Sequence, residues 1–437
     1  MIEKNIKTEL FKYIILNVLG MVGISCYILA DTFFVSAGMG SAGIAALNIA
    51  LPVYSLVHGS GLMIGVGGAC QYSIFVSRGD KKGADRMFTA ALAAAAVMSA
   101  VYMITGIAFS GKIAGMLGAD EAVFEMTETY LKTILIMSPS FLAGDIFTCF
   151  VRNDKAPGLS MAAMIAASLS NIVLDYIFIF PMKMGIFGAA LATGMAPCIS
   201  MAVLSRHRMK EQRFRAVKSM PAFKEIKRII AGGTSSLVTE LSAGIIMALF
   251  NFLILNAEGN IGVAAYGIIA NLSLVAIAIF TGIAQGMQPL ASKVHGISDK
   301  YSEGLLLKYS VLVCTASAIL IYVVLTVFSD GITAVFNSEN NIKLMQLAET
   351  GIRLYFIMLP FAGINIITSM FFAAVEKPVS AQVISLSRGF VVIVPAVIIG
   401  ANSAGLTGIW LSVSVSEFIT LVIGTVLYIR FRKPLHK

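Results

Sequence analysis

"SNIVLDYIFIF", residues 170–180, is an apolar run interrupted by a single carboxylate, Asp175, with Asn171 four residues before it. In a helix, residues four apart share a face, so the amide and the acid stack one above the other. The apolar run extends back to 157, roughly the 20 residues that carry a helix across a bilayer. A carboxylate in the middle of such a run is costly, about 2.5–3.5 kcal/mol at the bilayer centre. Its presence there asks for a partner, a proton or a cavity.

The rest of the chain repeats that pattern. Of 437 residues, 58% are hydrophobic and 13% charged, against roughly a quarter charged in soluble domains. Mean hydropathy is +0.87. Twelve apolar spans are predicted, near 11–36, 44–76, 88–109, 129–151, 157–180, 185–205, 228–256, 262–290, 307–328, 349–374, 378–400 and 405–429. Helices satisfy their own backbone groups in lipid, so the expected class is an all-α polytopic membrane protein. The first span is longer than a signal-peptide core and is read as retained.

Most Lys and Arg fall on one side of these spans. They include the N-terminal arm, Arg78 to Arg86, Arg152 and Lys155, the basic loop from Arg206 to Arg228, and the C-terminal end. The positive-inside rule then places both termini in the cytoplasm of a cell membrane. The net charge of +9 reads as a topology signal and a contact with anionic lipid, not as a nucleic-acid surface. Five cysteines lie in or at the ends of spans without metal-ligand spacing.

The basic loop divides the spans six and six, giving expected units at 1–205, 206–227 and 228–437. Sequence matches cross that divide at a nearly constant offset. "GIAA" (43–46) faces "GVAA" (262–265), Asp80-Lys81 faces Asp299-Lys300, Pro139 and Pro157 face Pro360 and Pro378, and "GIFG" (185–188) faces "GLTG" (405–408). Two halves of six spans enter the membrane from the same side. They are expected as two six-helix lobes related by a pseudo-two-fold along the membrane normal, as in transporters with a site between repeats. Gly61 and Gly65, at GxxxG spacing, predict close helix packing.

Asp31 and Asp175 lie at similar depth in spans running the same way, and apart from residues near the span ends no Lys or Arg lies inside the spans of that half. They are expected to be protonated, cation-bound or hydrogen-bonded. Asp145 sits near the end of span 4, and His58 mid-span among Ser and Gly. In the second half Arg388 and Glu417 are expected to pair, leaving Glu240 for a proton or Na⁺. His58, Gln285, Gln288 and Asn365 are candidates for a substrate pathway. No HExxH, GxSxG or Walker loop is present. An enzyme is therefore not expected, nor a cofactor, and transport would be driven by an ion gradient.

Five stretches in order, "ADTFFVSAGMGSAGIAALNIALP" (30–52), "NIVLDYIFIF" (171–180), "GIFGAALAT" (185–193), "TELSAGIIMALFNFLI" (239–254) and "GIAQGMQPLAS" (282–292), resemble the multidrug and toxic compound extrusion (MATE) family, and within it the MepA-like branch. The resemblance implies a V-shaped pair of lobes exporting amphipathic, often cationic compounds in exchange for H⁺ or Na⁺. It assigns Asp31, Asn171 and Asp175 to a cation site in the first lobe and Glu240 to an acidic position of the second. Two departures are visible. Pro197 stands where the family often has glutamine, and span 10 offers Asn365 where some members have aspartate. A monomer in contact with lipid and small amphipathic substrates is expected. A flippase for lipid-linked glycan or phospholipid is the alternative; it would call for basic residues in the central cavity, where Arg388 is the one candidate.

Overall fold

The computed structural model describes residues 2–210, 214–218, 221–336 and 341–432. All regular structure among them is helical. The helices are α1 (Ile2–Ser77), α2 (Lys81–Met116), α3 (Phe124–Ile136), α4 (Ser138–Asn153), α5 (Pro157–Ile179), α6 (Gly185–Lys210), α7 (Phe223–Gly296), α8 (Lys300–Val327), α9 (Ser329–Phe336), α10 (Ile342–Tyr355), α11 (Leu359–Ala374), α12 (Pro378–Leu386) and α13 (Ile393–Arg432). A short 3₁₀ turn (Phe356–Met358) joins α10 to α11, and a π turn (Ser387–Val391) joins α12 to α13.

By length and apolarity, eight of the described helical segments can cross a bilayer, or nine if the bent pair α3 and α4 counts as one. Three of these, in α1, α7 and the α12–α13 segment, run to 73, 74 and 55 residues, each long enough for two crossings. That accounts for twelve crossings. Each long helix changes direction at a glycine with positive φ: Gly40 (65°), Gly259 (66°) and Gly405 (56°). Only residues without a Cβ adopt that geometry cheaply.

The backbone carries the duplication more sharply than the sequence does. Gly40 and Gly259 are 219 residues apart, as are Gly79 and Ser298; Gly185 and Gly405 are 220 apart, Lys155 and Glu376 221. All eight have positive φ.

The halves meet along two seams of small residues. A methyl on Gly67 would run into the carbonyl of Ile229, and one on Gly233 into that of Met63. In the other seam, a methyl on Gly286 would lie 2.8 Å from the Cα of Ile14, and one on Gly282 2.6 Å from the Cα of Val18. Gly67 and Gly286 are 219 apart, as are Ile14 and Gly233, so the seams are copies of each other. Where lipid is as apolar as the side chains, such close backbone approach supplies the packing energy.

Polar contacts between the halves gather on the side where α6 ends and α7 begins, the linker side. Arg78 bonds the carbonyl of Gly296 and pairs with Glu376, which also accepts from Gln71. Deeper in, Asn153 and Gln288 exchange amide hydrogen bonds of 3.0 and 3.1 Å. Arg152 donates to Gln285 and Asn17. Sequence reading counts Arg152 as a loop charge; its side chain is instead buried in the seam, 1% exposed. The side chain sits in the last turn of α4, where the partner half covers it.

Candidate functional site

Asp31 on α1 and Asp175 on α5 meet inside the first half. Nearer the start of α1 the two helices pass closely at Gly20, where an added methyl would lie 2.9 Å from the Met164 sulfur. The carboxyl groups come within hydrogen-bonding reach of one another. Asp175 and Asn171 are 0% exposed and Asp31 8%. Among the described residues, Oδ1 of Asp31, both oxygens of Asp175 and both amide atoms of Asn171 have no hydrogen-bond partner. An orphaned buried polar group costs about 1–3 kcal/mol, and a charged one more.

Two facing carboxyl groups have no hydrogen between them unless one is protonated or a cation lies there. The set offers oxygens only, with the Asn171 carbonyl beside them, which suits a proton or a hard cation such as Na⁺. No group of three or more His, Cys, Asp or Glu that could hold a metal ion is found among the described residues. Tyr27 and Tyr130 sit close enough to feel both acids. Sequence reading missed them, although Tyr27 stands one helical turn before Asp31, a spacing that could have singled it out.

In the second half Arg388 grips Glu417 with both Nε and Nη2, at 2.8–3.0 Å. Asn365 donates to the Glu417 carboxylate (2.7 Å) and to its backbone carbonyl (2.8 Å). Asn365 is therefore a buried partner of the ion pair, not a wall of an open path. Gln285 and Gln288 likewise lie in the linker-side seam with Arg152 and Asn153. Pro197 packs against Gly144, where an added methyl would sit 2.9 Å from its Cβ.

A third group lies between the halves. Nδ1 of His58 is 3.1 Å from Oδ2 of Asp145, an ion-pair distance but off the line of a hydrogen bond, so that oxygen has no donor. Glu240 of α7 packs onto Gly59, next to His58 in the chain. A cavity of about 230 Å³ occurs elsewhere, at the linker end of the seam beside Gln71, Arg228 and Glu376.

Residues 17–177 and 236–398 each match the model of the MatE family. The chain belongs to that family. The matched stretches begin 219 residues apart and end 221 apart, the offset already seen in the backbone. Relatives of this MatE chain include MepA, the multidrug export protein of Staphylococcus saprophyticus, 24% identical over 397 residues, covering 90% of this chain and 87% of the relative. MepA of Staphylococcus aureus strain MRSA252 is 24% identical over 394 residues, covering 90% and 86%. The fold matches an outward-facing multidrug resistance MATE transporter of the MOP superfamily, with TM-score 0.90 at 22% identity, covering 98% of this chain and 96% of that one. It also matches a MATE in complex with MaL6, with TM-score 0.92 at 21% identity and the same coverage.

Proposed function

We propose that the protein is a multidrug exporter of the cell membrane, moving amphipathic, cationic organic compounds outward in exchange for H⁺ or Na⁺. The observation that carries this is the buried Asp31–Asp175 pair, in which three of the four carboxyl oxygens have no hydrogen-bond partner among the described residues. In this reading the incoming ion neutralises the pair, and substrate and ion exclude one another. No cofactor beyond that ion is required, and one chain suffices. The basic residues favour a cytoplasmic linker and termini. The polar contacts at the linker end of the seam then close the cytoplasmic side, leaving the cleft beside His58 and Glu240 facing outward. The moving bodies would be residues 1–205 and 228–437, joined by 206–227.

Lipid-linked phosphate is a weaker substrate class, because Arg388 is fully engaged by Glu417 and Arg152 lies in the seam. The test is efflux from vesicles under an imposed pH or Na⁺ gradient. Each pH unit supplies about 1.4 kcal/mol per proton, and gradient response should vanish in Asp175→Asn. Full coupling in that variant would overturn the assignment.

A further inference from the structure

Beyond the acid pair, the interior holds one more ionisable group whose purpose the fold does not explain. His58 and Asp145 come from different helices of the first half. They meet because residue 61 is glycine, since a methyl there would collide with the Asp145 carboxylate. Glu240 arrives from the other half, its Cβ 3.0 Å from where a methyl on Gly59 would be. The side chains of His58 and Asp145 are 25% and 17% exposed, so they face accessible space at mid-span, not a packed core. One imidazole thus pairs with a carboxylate of its own lobe and feels a second from the opposite lobe.

The duplication supplies a control for whether packing demands this. At the repeat offsets of 219 and 221, the counterparts of His58 and Asp145 are Ile277 and Ile366. The second half builds the same helices around two apolar residues at these places. The pair in the first half is therefore dispensable to the architecture.

We propose that His58 sets the charge number that the cleft accepts. As an imidazolium it offsets one of the two facing carboxylates, Asp145 and Glu240, and leaves the equivalent of one negative charge for a substrate cation. The groups that face His58 are Asp145 from α4, Glu240 from α7 and, on its own helix, Tyr54, whose ring stacks on the imidazole at 5.9 Å and whose hydroxyl shares a hydrogen bond with Tyr27. Arg388 does not compete for this role, being committed to Glu417. Without the imidazolium, two uncompensated carboxylates face the cleft and a second positive charge is welcome there. At an effective dielectric near 20, one unit charge several ångströms away is enough to change relative affinity about tenfold. The inference rests on the reading of the protein as an exporter of organic cations.

The experiment uses a matched pair of probes, methyltriphenylphosphonium with one charge and hexane-1,6-bis(triphenylphosphonium) with two. Binding to the purified protein and gradient-driven uptake into proteoliposomes are both measured. His58→Gln should shift preference toward the dication by about tenfold. His58→Lys should keep the parental preference, and His58→Gln with Asp145→Asn should return it to within about twofold, since one charge of each sign has been removed. Raising pH should shift the parent toward the dication and leave His58→Gln unmoved. Equal weakening of both probes in His58→Gln, or failure of the double variant to restore the ratio, would overturn the proposal and mark the pair as structural. If the parent binds and transports both probes but the ratio ignores residue 58, this inference alone falls. If the parent handles neither, the export reading falls with it.

Discussion

In the first half, Asp31 and Asp175 face each other, and three of their four carboxyl oxygens have no donor among the described residues. In the second half, Glu417 takes two guanidinium nitrogens from Arg388 and an amide from Asn365. The same six-helix plan thus buries an unsatisfied acid pair once and a satisfied ion pair once. One contact shows the difference at matched positions. Gly144 and Asn365 correspond at offset 221, and Pro197 and Glu417 at 220. The first half fills this contact with glycine against proline, the second with amide against carboxylate. At offset 219 the counterpart of Asp31 is Phe250, so the shared plan does not require an acid there. A function does.

The strongest way to break this comparison is to neutralise each site in turn. Asp175→Asn should abolish the response of efflux to an imposed gradient while leaving the melting temperature in detergent unchanged or raised, because an uncompensated buried acid is removed. Loss of folding together with loss of coupling would make the pair structural. Glu417→Gln should do the reverse. It strands Arg388 and should cost about 3–5 kcal/mol of stability, whereas replacing both residues with methionine should be close to neutral. Unfolding of the single and double variants measures this, and additive losses would contradict the pairing.

The linker-side seam sharpens the contrast at smaller scale. Arg152→Met leaves Gln285 and Asn17 short of a donor and should cost about 1–3 kcal/mol. Cys70 and Cys149, each 1% exposed beside that layer, should then react faster with a soluble maleimide. Unchanged labelling would mean that the layer does not hold the halves together.

The smallest effect is in acid. Glu376 sits in the turn between α11 and α12, outside the crossings, and the His295 ring nitrogen 3.6 Å away pulls its carboxyl from 4.5 down to about 2, against the effect of burial and with help from Gln71 and Arg78. The unfolded chain therefore binds this proton more readily than the native one. The contact's contribution is whole above about pH 4.5 and drains away as pH falls toward 2. Glu376→Gln should flatten the stability profile in that window, and an unaltered slope would remove the residue from the seam's account.

Much of this was legible before any coordinates. Hydropathy placed the crossings because lipid leaves helices as the one economical structure, and the depth of Asp31 and Asp175 followed from counting turns. The Arg388–Glu417 contact was foreseeable from two opposite charges at similar depth. Arg152, Gln285 and Gln288 were not. A basic residue at a helix end looks the same whether water or another lobe covers it, and glutamine carries no depth signal. Tyr54 and Tyr130 hid among apolar aromatics, since only a partner in space reveals a hydroxyl as polar.

Eight of the ten left-handed backbone positions among the described residues fall in four matched pairs, although their residues include lysine, glutamate and serine as well as glycine. At those four corners both halves still turn, whatever amino acid now stands there. The charges, by contrast, have been rewritten freely between them. An engineer seeking a new cargo should therefore edit the acids and bases and leave the bends alone, because heredity has kept the joints and let the chemistry drift.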